Sequence, residues 1–134
     1  MLQNNKSKKN LLDTSAIIAL LKKEPGYKVV ENIIASSAMS AINLAELTIV
    51  LQRLEISEDE IKEITADIVP QIIPFCFDLA KRISILSKFT KDHGLSLGDK
   101  ACIVTGEYYN MDIYTADKIW SKLEIPNVKI HLIR

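Results

Sequence analysis

The sequence predicts one α/β domain, with a mostly parallel central sheet flanked by helices on both faces. Three observations predict it. Short apolar runs of strand length recur along the chain, at Leu11-Leu12, Ala38-Met39, Ile72-Ile73, Ile113-Tyr114 and around Ile130, as strands buried on both faces require. Between them lie stretches with apolar residues at helical spacing and capping residues at their ends. No repeat, low-complexity tract or linker interrupts the 134 residues, a length that suits one domain with a real core.

Residues 1–9 are polar and lysine-rich and are expected to be a disordered extension; residues 10–134 form the domain. Residues 10–13 read as the first strand, with Thr14 or Ser15 placed to cap a helix over 16–21 that stops near Pro25 and Gly26. A second short helix follows at 29–35 and a second strand at 38–42. Asn43 is placed to cap an apolar helix over 44–54. Ser57 and Glu60 have the spacing of a capping box, opening a helix that ends before Pro70. Ile72 and Ile73, fenced by Pro70 and Pro74, make a short third strand. An amphipathic helix spans 78–93, with Gly94 just past its end. Ser96 and Asp99 form a second capping-box pattern, opening a helix that runs to about Tyr109. A strand at 112–115, a short helix at 116–123 and a last strand at 128–133 complete the domain.

Composition excludes several classes. Hydrophobic residues make up 48% and charged residues 25% of the chain, an ordinary globular balance. Seventeen Lys and Arg offset 17 Asp and Glu, so any basic surface is matched by an acidic one, as over residues 55–67. No apolar run is long enough to span a membrane, and the N-terminus lacks an apolar signal core, which suits a cytoplasmic protein. Cys76 and Cys102 have neither CxxC spacing nor a nearby histidine, so they read as buried hydrophobes and not as a zinc site. There is no Gly-rich phosphate loop, GxSxG elbow or nucleophilic cysteine motif.

The chemistry-bearing residues are acids. Asp13 and Asp117 each follow an apolar strand, where open α/β sheets form their ligand crevice. Glu46 lies one helical turn beyond the second strand, and Asp99 opens the helix preceding the fourth. Singly, each has a structural reading: an Asx turn for Asp13, a capping box for Asp99, a favourable helix N-terminus for Asp117. Glu46 resists one, because an unpaired carboxylate on an apolar helix is costly to bury. Two carboxylates about 4 Å apart repel by roughly 4 kcal/mol at a surface-like dielectric. Four in one cleft therefore call for protons, basic neighbours or a cation. Oxygen donors without histidine or thiolate suit Mg²⁺ or Mn²⁺, ions that serve phosphodiester hydrolysis.

Leu12-Asp13-Thr14-Ser15, Asn43-Leu44-Ala45-Glu46, Leu95-Ser96-Leu97-Gly98-Asp99-Lys100-Ala101 and Thr115-Ala116-Asp117 resemble, in order and spacing, the four motifs of PIN domains, and among these the VapC toxins of bacterial toxin–antitoxin pairs. The resemblance covers nearly everything from Asn10 onward. It implies a PIN-like fold and metal-dependent RNA cleavage. Asp13, Glu46, Asp99 and Asp117 would be the catalytic acids and Asp13 and Asp99 the direct metal ligands. Ser15 and Thr115 would orient carboxylates by hydrogen bonds. It also implies a homodimer and a small antitoxin as partner. Lys118 stands where some relatives carry a further acid.

Lys100 and Lys118, each adjacent to a site acid, are candidates for phosphate contact; the other lysines read as solvated helix faces. His93 and His131 lie away from the acidic motifs, Trp120 reads as a packing residue, and Tyr108-Tyr109 as a core cap or dimer contact. Competing readings are a non-catalytic RNA- or protein-binding module, a phosphoacceptor domain and a DNA-directed nuclease. Intact acids in all four motifs speak against the first. The absence of paired acids after the first strand speaks against the second.

Overall fold

A computed structural model describes residues 9–68 and 71–134, so the expected disordered extension lies outside it but for its last residue. Five strands, β1 (Asn10–Leu12), β2 (Ser37–Ser40), β3 (Ile72–Ile73), β4 (Asp112–Thr115) and β5 (Lys129–Leu132), form one sheet in the order β3-β2-β1-β4-β5. Every pairing is parallel, in registers that include Leu11 to Ala38, Leu12 to Tyr114, Ser40 to Ile73 and Thr115 to Leu132. The chain steps outward from β1 through β2 to β3, then returns to lay β4 on the other side of β1. The order therefore reverses between β1 and β4, and the crevice at such a switch point is where open α/β sheets bind ligands.

Six helices cover the sheet: α1 (Thr14–Lys22), α2 (Tyr27–Ile33), α3 (Ala41–Arg53), α4 (Glu58–Ile68), α5 (Phe77–Thr90) and α6 (Leu97–Tyr109). Strand residues alternate between two apolar clusters, as a period of two demands. Leu11, Ala38 and Ile113 pack with Leu79, Leu86, Ile103 and Trp120, beneath α5 and α6. Leu12 and Met39 pack with Ile17, Val30, Leu47 and Leu51, beneath α1, α2 and α3. Both faces are covered, as expected.

Several local expectations needed correction. Asp13, and neither Thr14 nor Ser15, is the N-cap of α1. Ser40 caps α3 through its side chain, which accepts from the Ile42 N–H at 3.2 Å. Asn43 therefore sits inside the helix and is fully buried, because the chain turns helical three residues earlier than its apolar pattern suggests. The short helix after β4 is 3₁₀, Lys118–Lys122, capped by Asp117, and His93 ends a 3₁₀ turn, Lys91–His93, after α5. Gly94 then takes a left-handed φ of 64°, a common helix-ending conformation. Cys102 is buried as expected, but Cys76 is exposed, since it lies at the outer start of α5 and not on a strand. Among the described residues no helix is long and apolar enough to cross a membrane.

Candidate active site

The carboxyl ends of β1 and β4 bring Asp13 and Thr115 side by side. Asp13 is only 4% exposed. Its Oδ2 accepts hydrogen bonds from Ser15 Oγ at 2.7 Å and Thr115 Oγ1 at 2.9 Å. The Ala116 N–H donates to Ser15 Oγ at 2.9 Å and the Asp117 N–H to Thr115 Oγ1 at 3.1 Å, so backbone on the β4 side fixes both hydroxyls. Asp117 accepts the Ile119 N–H on Oδ1 at 3.0 Å.

Asp99 enters from the first turn of α6. The capping box anticipated there is present: Ser96 Oγ accepts from the Asp99 N–H at 3.1 Å, and Asp99 Oδ2 accepts from the Ser96 N–H at 2.9 Å. Glu46 comes from α3, half-buried. Its Oε1 accepts from Thr14 Oγ1 and from Asn43 Nδ2, each at 2.9 Å. The side-chain hydrogen bonds to Asp13 fall on Oδ2 and those to Glu46 on Oε1, while Asp99 accepts the Ser96 N–H on Oδ2 and Asp117 the Ile119 N–H on Oδ1.

The acids are electrostatic neighbours. Burial pushes the Asp13 carboxyl up to about 6, against the Ser15 and Thr115 hydroxyls that lower it, and the charge of Asp99 pushes it further. Burial also raises Asp99; the Ser96 bonds oppose this, while Asp117 and Glu46 add repulsion. Asp99 is thus coupled to all three other acids. Cys102, fully buried in the apolar cluster beneath α5 and α6, has its thiol raised by burial and by the field of Asp13, Asp99 and Glu46, as suits an unreactive packing residue.

Such a site fits a hard divalent cation. The donors are oxygens, and the buried Asp13 lacks a positive partner among the described residues. Among those residues no three His, Cys, Asp or Glu side chains are grouped closely enough to hold a metal ion by themselves. Lys100 is half-buried and Lys118 exposed. His131 lies elsewhere, stacked on Tyr114 and 3.0 Å from Asp112. Sequence reasoning missed Thr14, Asn43 and Gly98: a Cβ at Gly98 would overlap the Glu46 carboxylate. Thr14 and Asn43 had been read only as helix caps, and Gly98 only as a member of the third motif.

A family model described as the PIN domain matches residues 11–126. No curated protein sequence matches the chain. Among solved structures, a toxin–antitoxin complex from Klebsiella pneumoniae is 21% identical with a TM-score of 0.69, covering 90% of this chain and 95% of its own. DNA-bound VapBC from Salmonella typhimurium is 16% identical with a TM-score of 0.71, covering 96% and 100%. FitAcB from Neisseria gonorrhoeae is 23% identical with a TM-score of 0.66, covering 90% and 94%.

Proposed function

Because this chain belongs to the PIN-domain family, we propose that it is a Mg²⁺- or Mn²⁺-dependent endoribonuclease and the toxin of a toxin–antitoxin pair, working in the cytoplasm. The observation that carries the reading is Asp13, buried at the end of β1 next to the β1–β4 switch point and pushed up by burial and by Asp99. A structural role alone does not call for Asp99 standing within the field of three other acids.

Asp13 and Asp99 would hold the cation. When bound, it would supply positive charge opposite the scissile phosphate and increase the acidity of an attacking water. The chain's own groups act by orientation. Ser15 and Thr115 hold Asp13 through Oδ2, Ser96 holds Asp99 through Oδ2, and the Ile119 N–H holds Asp117 through Oδ1. Asp99 and Asp117 would then turn their other oxygen to a cation, a water or substrate. Pinning these rotamers in advance removes a reorganisation cost at the moment of reaction. Lys100 and Lys118, beside two of the acids, would meet RNA phosphates.

An antitoxin partner is supported by the toxin–antitoxin complexes among the structural neighbours. A groove of about 410 Å³ between α3 and α4, lined by Ile49, Ile56 and Ile61 among others, suits the apolar face of a partner helix. An arginine from that partner's tail could pair bidentately with the cleft carboxylates. Homodimerisation would use other apolar surface; Tyr108 and Tyr109, edge to face and both exposed, are candidates.

The test combines cleavage and binding. Total RNA is incubated with the purified chain in Mg²⁺ or Mn²⁺ and in EDTA, and Mn²⁺ is titrated into wild type and Asp99→Asn while thermal stability is followed. Cleavage should need the metal, and Mn²⁺ should stabilise wild type by mass action, with most of that gain lost in Asp99→Asn. Equal stabilisation of both proteins would refute the ligand assignment. Metal binding without cleavage would favour a binding module.

A further inference from the structure

We infer that Asn43, Thr14 and Gly98 form a clamp that holds the Glu46 carboxylate in the cleft, with Asn43 as its central positioning residue. The inference rests on the nuclease reading and states how one of the proposed acids is kept in place.

Asn43 is an unfavourable choice for its position on stability grounds. It lies inside α3 with no exposure, asparagine is a mediocre helix former, and its buried Oδ1 has no hydrogen-bond partner among the described residues. An unmet buried acceptor destabilises the fold, and an apolar side chain of similar size would avoid that loss. The amide's role lies in its two hydrogens. Nδ2 donates to Glu46 Oε1 at 2.9 Å and to the Gly98 carbonyl at 3.2 Å. These acceptors fix the amide's orientation, because a flipped amide would set oxygen against oxygen. Asn43 and Glu46 are three residues apart and share a helix face. Asn43 therefore ties the carboxylate of its own helix to the first turn of α6, the turn that carries Asp99.

Thr14 adds the second donor from α1. Its single hydroxyl hydrogen has two acceptors in reach, Glu46 Oε1 at 2.9 Å and the Asn43 carbonyl at 3.2 Å. Gly98 supplies room. Its backbone is ordinary helix without a positive φ, a setting where alanine is the better helix former, yet a Cβ there would overlap both Glu46 carboxylate oxygens. The glycine is explained by the carboxylate lying against it. Two donors hold Oε1 while the bare face of α6 receives the rest of the group.

The test compares wild type, Gly98→Ala, Asn43→Ala, Thr14→Val and Thr14→Ser, using the whole chain. Cleavage of total RNA in Mn²⁺ and the midpoint of urea unfolding in EDTA are both measured. Gly98→Ala should cut cleavage at least tenfold in protein that is still fully folded, a loss out of proportion to any change in midpoint, which a purely structural glycine would not give. Asn43→Ala and Thr14→Val should lose cleavage out of proportion to stability, and Thr14→Ser should keep most of it. Full activity of Gly98→Ala or of Asn43→Ala would overturn the clamp. If wild type cleaves no RNA, the nuclease reading fails and the midpoints alone judge the clamp. Gly98→Ala must then raise the midpoint more in a Glu46→Ala background than in wild type; equal effects in the two backgrounds would overturn it.

Discussion

Asp13 is held by two hydroxyls and still pushed up to about 6, because burial outweighs them and Asp99 adds repulsion. A carboxyl whose folded pKa lies above its unfolded value, 3.8, binds more protons in the folded state at pH values between the two. Its contribution to stability is therefore complete below about pH 4 and is lost as pH rises through 6. The gap corresponds to roughly 3 kcal/mol by linkage. In EDTA, Asp13→Asn should be the more stable protein at pH 7.5, since the amide oxygen can still accept from Ser15 and Thr115. The advantage should shrink towards zero at pH 4. Urea unfolding at the two pH values checks this, and an advantage of equal size at both would show that charge burial is not the cause.

The first turn of α6 shows how an element serves two ends at once. Its capping box meets two backbone N–H groups that helix formation leaves without partners, and the same bond fixes the rotamer of Asp99. Ser96→Ala should cost about 1 kcal/mol in urea unfolding, as loss of a cap does. It should also lower RNA cleavage several-fold at temperatures where the variant is fully folded, because Asp99 is left less restrained. A Ser96→Ala protein with the expected loss of stability and wild-type cleavage would show that the cap serves the helix alone. Ser96→Thr, which keeps a hydroxyl, should retain both properties. The 3₁₀ turn after β4 works similarly: by capping it, Asp117 takes its place beside Thr115.

At the scale of the whole molecule, the proposed catalytic and partner surfaces separate. The acids lie at the β1–β4 switch point, whereas the groove is formed by α3 and α4, with Ile49, 46% exposed, in its lining. A charge in the groove should thus disturb a protein partner without touching the chemistry. Expressed alone, the chain should arrest growth; its gene neighbour should relieve the arrest and copurify; Asp13→Ala should be harmless. Ile49→Asp should escape the neighbour, remaining toxic and failing to copurify, while cleaving RNA as wild type does. A chain harmless at high expression that still cleaves RNA in vitro would point to a housekeeping nuclease.

What the sequence determined by itself was local. Strand and helix periods, the Ser96–Asp99 capping box and the positions of Asp13 and Asp117 after apolar strands were readable because they depend on residues a few places apart. β3 and β4 have the expected bounds, and α6 ends at the expected residue. The tertiary structure decided the strand order, and with it the convergence of the acids. The hydrogen bond from Thr115 to Asp13 joins residues 102 apart, that from Thr14 to Glu46 residues 32 apart, and that from Asn43 to Gly98 residues 55 apart. Periodicity carries no information at such separations; the register of β1 between β2 and β4 sets them. For the same reason Asn43 read as a cap and proved to be a buried bridge between α3 and α6. A side chain's role in a site is set by what the fold lays against it, and for this residue that partner lies on α6, 55 residues away.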